Sequence, residues 1–583
     1  MSSSRQQLKQ TRSSSLNRII CYVFLAGCVL GAACFVYVYG VKILNPVYDA
    51  WLFNAENDLR QHYVGFCNFR NDNWQFPFGL TSSLSYPTSV SIIYTDSIPV
   101  FAVLFKLFSG ILPVHFQYFG LFGLISFMLQ GGFSAILIFR FLYKDSRKKN
   151  PWFSGIISVM LSLIFILSFT VLQRMFYHTA LSAQWIILLA MNLFVYGEEL
   201  SYKNRLISWS VLGFLVIGIH SYFLPMVGIL LLASCVDISV RSSWNIRTLA
   251  KEAMLILAYC FTALFNLYIL GGFYGNVSAG GDGLGTFESN LNTFINPLRD
   301  SAIFKGLPLY YDFQYEGFAY IGLGCIVLLI ISVLAGIAAL IYCKIKKLSV
   351  INGIFTNHYR AVITFCVFVG CMMLASFPIV TFNDKKLFGV PYPEGLKNLL
   401  SIFRSNGRFV WVSMYILILA VIVITGRVIN CIFSGKKGLL FMALVYTCVI
   451  ALQMVDLSYM IGYKQDYFKT VQTYENPWVG TIVDKNYARY KEFAFLYTDH
   501  DLTIDSAYYG YLRGLVTNNY YFARDYSTEI KKDVDSFRHE LKNGIVHEDV
   551  VYICDKDDDI VNQCKELTWF EIMDHYAGVL DIE

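Results

Sequence analysis

The sequence predicts an all-α polytopic membrane protein with a small C-terminal α/β domain. Two features of the composition carry this prediction, and the first is the shortage of charge. Of the 583 residues, 56% are hydrophobic and only 15% are charged, whereas an average soluble domain carries about 25% charged residues. So few charges cannot cover the surface of a soluble protein, which excludes a cytosolic enzyme.

The second feature is the uneven distribution of charge along the chain. Residues 461–583 contain 13 Lys and Arg and 23 Asp and Glu, whereas the preceding 460 residues contain 33 basic and 18 acidic residues. This division predicts a lipid-embedded body followed by a water-soluble acidic domain, and it predicts no nucleic-acid partner. We therefore divide the chain into an N-terminus at 1–18, a transmembrane domain at 19–461 and a C-terminal domain at 462–583.

Apolar runs of about 17–25 residues are long enough to cross a bilayer as a helix. The sequence contains nine such runs: Ile19–Ile43, Tyr118–Tyr143, Phe153–Leu172, Thr179–Tyr196, Ala253–Leu270, Phe318–Cys343, Ala361–Thr381, Phe409–Gly426 and Leu439–Ile461. Each of them is predicted to be a transmembrane helix.

Two shorter apolar runs, Leu206–Ile219 and Phe223–Val236, form either one long helix or a hairpin. Basic residues precede the first run and follow the second, at Lys203, Arg205, Arg241, Arg247 and Lys251. Because basic residues favour the cytoplasmic side, both ends of the pair belong there and a hairpin is predicted. The hairpin brings the predicted number of transmembrane helices to about eleven.

The apolar stretch Ser97–Leu112 is predicted to lie at the membrane interface. It is short, and Pro99, Lys106 and Gly110 interrupt it. If it does not cross the membrane, every cluster of Lys and Arg falls on one side, as the positive-inside rule requires. The N-terminus is then cytoplasmic and the C-terminal domain extracytoplasmic. In that domain, Asp533–Asn543 is predicted to be a helix and Val550–Cys554 a strand.

Ionisable residues are almost absent from the centres of the predicted spans and gather at their outer ends. The outer loop 44–117 supplies carboxylates, and three other segments supply imidazole and guanidinium groups. These residues are Asp49, Asp58, His62, His178, His220, Arg404 and Arg408. A transporter is expected to place such groups near the membrane midplane. Their placement therefore indicates chemistry at the outer interface.

A set of short motifs runs from the outer loop to the C-terminal domain. It comprises Asn57-Asp58-Leu59-Arg60-Gln61-His62-Tyr63-Val64-Gly65-Phe66, Phe69-Arg70-Asn71-Asp72, Phe76-Pro77-Phe78-Gly79, Tyr94–Pro99, His178–Leu181, His220–Tyr222, Phe403–Trp411 and Asp505–Tyr508. Together these motifs resemble a bacterial family of multi-pass membrane proteins of unknown function. That family is similar to the GT-C superfamily of glycosyltransferases, whose donors are sugars linked to a lipid phosphate.

The resemblance implies a GT-C-like transmembrane fold and an acidic residue in the first outer loop that acts as general base. Asp49 and Asp58 compete for this role. Asp49 is nearer the membrane, whereas Asp58 lies in the longer motif, with Gln61 and His62 one helical turn further along. A carboxylate suits the removal of a proton from an acceptor hydroxyl. We favour Asp58 as the base, and an ordinary loop charge or helix cap is the alternative for each residue.

Six residues are predicted to bind the donor's phosphate or sugar: Gln61, His62, His178, His220, Arg404 and Arg408. For the histidines, the alternative is an interfacial side chain with its hydrogen bonds satisfied. Arg404 and Arg408 share one helix face if the helix begins by Arg404, and arginine binds phosphate through a planar fork. Their alternative is headgroup anchoring. Asp312 and Glu316 are interpreted as ordinary charges at the mouth of the eighth span.

The predicted function is that of an inverting, integral-membrane GT-C-type glycosyltransferase in the plasma membrane. It would move a hexosyl or pentosyl group from a polyprenyl-phosphate donor to an envelope glycan or other extracytoplasmic acceptor. No cofactor and no metal site are predicted, because arginines alone can hold a monophosphate; a divalent cation is the alternative. The competing functions are a lipid-linked saccharide transporter or flippase, and a polysaccharide assembly subunit that only binds.

Overall fold

The computed structural model describes residues 2–53, 58–145, 150–275, 283–345, 358–433, 435–470, 473–524 and 526–580. In this part of the chain, the body is mostly helical and the C-terminal region contains a small sheet. The helices of the body are α1 (Ser2–Tyr39), α2 (Asp58–Asn71), α3 (Pro99–Lys106), α4 (Phe119–Asp145), α5 (Pro151–Ile166), α6 (Phe169–Arg174), α7 (Trp185–Tyr196), α8 (Tyr202–Ile219), α9 (Phe223–Arg241), α10 (Ile246–Ile269), α11 (Leu323–Ile345), α12 (His358–Ser376), α13 (Glu394–Ser401), α14 (Val410–Ile432) and α15 (Gly435–Lys469).

Eight helical stretches of the described residues are long and apolar enough to cross a membrane. They are Leu16–Tyr39, Phe119–Tyr143, Thr179–Glu199, Phe223–Arg241, Ile246–Ile269, Tyr359–Ser376, Asn406–Asn430 and Lys436–Lys469. Their length and apolar surface suit a lipid bilayer. The protein therefore fits a multi-pass membrane protein.

Three other predicted spans are helices that fall short of the same length and apolarity. Helix α5 has only 16 residues, and α8 begins with a turn that contains Lys203 and Arg205. The described apolar part of α11 is Leu323–Ala338. The stretch Ser97–Leu112 contains only the short helix α3, whose eight residues cannot cross a bilayer.

Close contact between α1 and α4 fixes where the outer loop leaves and returns. Gly27 and Gly31 lie against the backbone of Gly131 and Phe127, so that a Cβ at either glycine would overlap that backbone. Small residues four apart let membrane helices approach closely. At the loop end of the two helices, the Gln117 side chain donates hydrogen bonds to the backbone carbonyls of Ile43 and Asn45. The loop 44–117 is thereby closed at its base.

The C-terminal region contains a five-stranded sheet. Two short two-stranded sheets of the body, β1 (Leu80–Thr81) with β2 (Val90–Ser91) and β3 (Ile379–Phe382) with β4 (Lys385–Gly389), precede it. The strands of the C-terminal sheet are β5 (Glu492–Phe495), β6 (Val516–Thr517), β7 (Val550–Asp555), β8 (Leu567–Ile572) and β9 (His575–Leu580). The helices of the same region are α16 (Ile482–Lys485), α17 (Thr503–Arg513), α18 (Ser527–Lys542) and α19 (Ile560–Gln563). Strand β5 pairs in parallel with β6 and β7, and β9 is antiparallel to β7 and β8. Helix α18 and strand β7 match the two elements that the sequence predicted here.

The C-terminal region packs on the outer loop through α17 and α2. Asn68 of α2 donates a hydrogen bond to the Ala507 carbonyl at 3.1 Å, and Arg60 pairs with Asp505 at 3.2 Å. Both partners lie in α17, so this helix holds the helix that begins with Asp58 at two points. This contact positions the functional site described next.

Candidate active site at the loop end of the helices

A buried carboxylate, Glu316, lies at the centre of the site. It belongs to the helical turn Asp312–Gly317 that precedes α11 and is only 4% exposed. Its Oε2 atom accepts hydrogen bonds at 2.9 Å from Nη2 of Arg174 and at 2.9 Å from Nε of Arg408. We call these three residues the Glu316 cluster. The interpretation of Glu316 as an ordinary charge at the mouth of a span is therefore wrong.

The electrostatics of the Glu316 cluster favour the ionised carboxylate. Burial alone would disfavour the charge, but the guanidinium groups of Arg174 and Arg408 outweigh it and hold the pKa of Glu316 well below its usual range. Arg174 is 1% exposed and Arg408 is 7% exposed. Two buried cations thus share one anion, and the cluster carries an excess of positive charge.

An Asp–His pair lies next to this cluster. Asp58, the first residue of α2, contacts Nδ1 of His178 through Oδ2 at 3.0 Å, and Nε2 of His178 lies 4.0 Å from Oε1 of Glu316. The side chains of Asp58 and His178 are 28% and 18% exposed, so both are more accessible than Glu316. The sequence placed these two residues among its candidates, and the structure brings them together.

The protonation states within the Asp58–His178 pair are set by burial and by the contact itself. Burial opposes ionisation of Asp58, but the hydrogen bond from His178 lowers the pKa of the carboxyl below its usual value. Burial also lowers the pKa of His178, despite the opposing effect of Asp58. A carboxylate only accepts hydrogen bonds, so a neutral His178 donates through Nδ1 and leaves Nε2 as an acceptor.

His62 follows Asp58 by one helical turn and is 1% exposed. Burial lowers the pKa of His62 to about 3, and neither ring nitrogen has a hydrogen-bond partner among the described residues. One ligand atom each of Asp58, His62 and His178 lies within 4.8 Å of the others. Two imidazoles and a carboxylate form a donor set typical of zinc and related divalent metals. These three residues could hold such an ion if they moved closer together.

A second His–carboxylate contact lies at the tip of the α8–α9 hairpin. Nε2 of His220 is 3.8 Å from Oδ1 of Asp96, a residue in the left-handed conformation with φ of 51°. Burial raises the pKa of Asp96 to about 6, and the charge of Asp58 adds to this shift. Its side chain is 26% exposed, so water moderates the effect. The sequence assigned no role to Asp96.

The two arginines of the Phe403–Trp411 motif have different environments. They would share one helix face if the helix began by Arg404, but α13 ends at Ser401 and α14 begins only at Val410. Arg404 lies in the connecting segment and is exposed. Arg408 is buried in the Glu316 cluster, and its guanidinium lies 4.5 Å from the ring centre of Tyr222.

Two predicted site residues hold the outer loop against the C-terminal region. Asp49 accepts hydrogen bonds from the hydroxyls of Tyr63 at 2.8 Å and Tyr508 at 3.1 Å, and lies 3.0 Å from Nδ1 of His115. None of these partners belongs to the Glu316 cluster. The amide of Gln61 donates to the Tyr521 carbonyl at 2.6 Å, so this contact already occupies it.

The sequence places Arg174 beside His178 at the outer end of the spans but assigns no role to it, and it does not indicate Arg524. Arg524 comes from the C-terminal region and donates to the Ile402 carbonyl at 2.7 Å, beside Arg404. Arg174 ends α6, and an arginine between two apolar runs is usual at a membrane interface. Neither residue carries a sequence signal that separates a buried functional cation from an interfacial one.

The fold and the site define a helical, multi-pass membrane protein with ionisable side chains gathered at one end of its helices. Residues 28–458 match the family described as "Domain of unknown function (DUF6311)". The chain therefore belongs to this family. A search of curated proteins finds no match to the sequence.

Proposed function

We propose that this protein is an integral-membrane glycosyltransferase that moves a sugar from a polyprenyl-phosphate donor to an extracytoplasmic envelope acceptor. The observation that carries the proposal is the partly accessible Asp58–His178 pair beside the cationic Glu316 cluster. Sugar transfer from a lipid phosphate needs a base for the acceptor hydroxyl and positive charge for the leaving phosphate. Both requirements are met by residues that lie together in this site.

In the proposed reaction, Asp58 takes the proton of the acceptor hydroxyl as its oxygen attacks the anomeric carbon of the sugar. The bond from that carbon to the phosphate oxygen breaks, and the electron pair leaves with the lipid phosphate. This direct displacement inverts the anomeric carbon. His178 keeps the carboxylate oriented through its Nδ1–H. The charges of Arg404 and Arg524 reach Asp96, near the pair, and add to that of the Glu316 cluster in stabilising the leaving phosphate.

The proposal includes a GT-C-like body of eleven transmembrane helices, with α5, α8 and α11 as spans in addition to the eight apolar stretches. Tight packing of α5 against α1 and α4 supports a membrane position for this short helix. The N-terminus would be cytoplasmic, and the active site and C-terminal region would lie outside the plasma membrane.

This topology predicts which introduced cysteines react in intact cells. Cysteines at Lys203 and Lys436, both exposed, should react with a membrane-impermeant maleimide only after permeabilisation. A cysteine at Lys531, exposed on α18, should react without it. The exposed native cysteines of the described side chains, Cys21, Cys260, Cys366 and Cys448, are first replaced with alanine. Reaction of the Lys203 cysteine in intact cells would contradict the orientation of the hairpin.

A liposome experiment separates the proposed transferase from its competitors. The purified protein is reconstituted with a polyprenyl-phosphate sugar, and an acceptor fraction from the cell envelope is added on the side of the C-terminal region. A transferase should release free polyprenyl phosphate and label the acceptor. A transporter or flippase should move the intact sugar lipid to the other leaflet, and an assembly subunit should bind it unchanged. Either of the last two outcomes would refute the proposed reaction.

Arg404→Lys tests whether Arg404 contacts the donor phosphate. If it does, kcat/KM for the donor should fall about 10- to 100-fold, because lysine cannot reproduce the planar fork of a charge-assisted pair. The control is Arg247→Lys, an exposed arginine at the opposite end of the helices, which should be silent. Unchanged donor kinetics in Arg404→Lys would leave headgroup anchoring as its role. Arg408→Lys is less informative, because it removes a hydrogen bond to Glu316.

A further inference from the structure

A cavity of about 480 Å³ lies beside the Glu316 cluster, on the side of Arg174. Its walls come from the end of α6, the segment at Arg299 and Asp300, Tyr315, and the last three turns of α15. None of the residues predicted from the sequence lines it. The cavity is large enough for the headgroup of a substrate.

The cavity wall carries more positive than negative charge. Buried Arg174, half-buried Lys464 and exposed Arg299 supply three cations, and half-buried Asp300 supplies one carboxylate. Glu316 does not restore the balance, because it is shared between Arg174 and Arg408. Excess positive charge in a partly buried position is unfavourable unless an anion compensates it. An anionic ligand would supply this compensation.

Three side chains of the cavity wall each carry a buried polar atom without a partner. Oε1 of Gln173, Nε of Arg174 and the hydroxyl of Tyr467 are all buried, and none has a hydrogen-bond partner in the described part of the chain. All three side chains line the cavity. Buried polar groups are normally paired. A ligand in the cavity that carries oxygen acceptors and a hydroxyl would supply partners for these two donors and one acceptor.

The outer wall of the cavity is a stripe of tyrosines on α15. Tyr459, Tyr463 and Tyr467 recur every four residues and so lie on one helix face, with Lys464 beside them. Tyr459 and Tyr463 are 56% and 59% exposed. Tyrosines collect at the boundary between lipid and water. The cavity therefore opens at the depth of lipid headgroups, within reach of a lipid-linked molecule.

The Glu316 cluster adjoins two cationic regions, one at Arg404 and the other in the cavity. Arg408 connects the cluster to Tyr222 and the Arg404 region, whereas Arg174 connects it to the cavity. Tyr177 lines the cavity and its ring centre is 4.6 Å from that of His178. A group held in the cavity is thus next to the Asp58–His178 pair.

We propose that this cavity binds a phosphate ester carried by the acceptor, so that both substrates of the enzyme are anionic. That this phosphate belongs to the acceptor rests on the proposed transfer function. The binding of phosphate in the cavity does not depend on that function and is tested separately. The phosphate can belong to a lipid carrier or to a water-soluble phosphoglycan. The chemistry that recognises it is the same in both cases.

Binding of simple phosphates to the full-length protein in lipid nanodiscs tests the proposal. The probes are farnesyl phosphate, glycerol 1-phosphate and the uncharged alcohol farnesol, and native mass spectrometry counts the molecules bound. Farnesyl phosphate should occupy two sites, one near Arg404 and one in the cavity. Binding of glycerol 1-phosphate in the cavity would indicate a soluble phosphoglycan, and its exclusion a lipid-linked acceptor. Equal binding of farnesol in the cavity would overturn the proposal.

Two variants locate the site. Arg299→Ala and Tyr467→Phe should each weaken binding at the cavity about 10-fold or more and leave the second site unchanged. Lys305→Ala, an exposed cation of the same connecting segment, is the matched control and should have no effect. The Tyr467 hydroxyl has no hydrogen-bond partner among the described residues. The melting temperature of Tyr467→Phe, measured with no phosphate added, should therefore not fall. Unchanged phosphate binding in both variants would overturn the proposal, whether or not the protein transfers sugar.

Discussion

Asp58→Asn should lower sugar transfer by about 100-fold or more, the range expected when a general base is lost. The substitution is nearly isosteric, and the asparagine oxygen can still accept the hydrogen bond from Nδ1 of His178. Only the charge and the ability to take a proton disappear. The measurement is the initial rate of transfer in liposomes that contain a polyprenyl-phosphate sugar. An unchanged melting temperature of the purified variant would show that the protein is folded.

Asp49→Asn is the matched control, because it makes the same change in the same loop. Asp49 is bound by Tyr63, Tyr508 and His115, so its charge stabilises the contact between the loop and the C-terminal region. We expect a lower melting temperature and a smaller loss of rate. If Asp49→Asn abolished transfer while Asp58→Asn retained it, the base would be Asp49.

A chelator distinguishes a base from a metal ligand at the same position. If Asp58 acts as a base, EDTA should leave the activity of the wild-type protein unchanged. If Asp58, His62 and His178 hold a catalytic metal, EDTA should abolish the activity and Zn²⁺ or Mn²⁺ should restore it. His62→Ala should then remove the metal from the purified protein, as measured by elemental analysis. That result would mean that Asp58 is a metal ligand and not the general base.

The helical body could be predicted from the sequence because membrane helices are selected by hydrophobicity over a fixed length. The run Tyr118–Tyr143 appears as α4 at Phe119–Asp145, and Phe223–Val236 appears within α9 at Phe223–Arg241. The limits of the short runs were harder to predict, because the energy of crossing a bilayer depends on flanking charges and on neighbouring helices. The break between α5 and α6 inside Phe153–Leu172 is one example.

The site was predictable in its residue types but not in its pairings. Asp58 and His178 were both candidates, yet nothing in the sequence indicated that they touch. Glu316 was missed because a carboxylate next to an apolar run has the same sequence pattern whether it is solvated or buried between two arginines. Arg404 and Arg408 were placed on one face because their spacing fits a helix, but the helix begins after both. Long-range packing decides each of these points.

Glu316→Gln should cause the largest loss of stability of any single substitution in the site. Glutamine keeps the shape of the side chain but removes the only carboxylate that Arg174 and Arg408 contact among the described residues. Breaking a buried ion pair by removing one partner typically costs about 3–5 kcal/mol, because the remaining charge is left uncompensated. Here two cations are left. The melting temperature in detergent, followed by size-exclusion chromatography, measures the effect.

The control for this change is Asp312→Asn, which lies in the same helical turn but is exposed. It should alter the free energy of unfolding by no more than about 0.5 kcal/mol. The double variant Glu316→Gln with Arg408→Gln should recover part of the lost stability, because one of the two uncompensated charges is gone. A Glu316→Gln variant as stable as the wild type would mean that another anion neutralises the arginines.

The same substitution should have a characteristic pH dependence. The pKa of Glu316 is held well below its value of about 4.5 in the unfolded chain, so the unfolded state binds the proton more readily than the folded state. The stability that Glu316 contributes is therefore fully present above about pH 4.5 and is lost as the pH falls below it. The difference in melting temperature between wild type and Glu316→Gln should be constant from pH 6 to 8 and shrink in acid. A difference that grew in acid would contradict an ionised Glu316. It would also mean that the charge of Glu316 is not what holds Arg174 and Arg408 beside the Asp58–His178 pair.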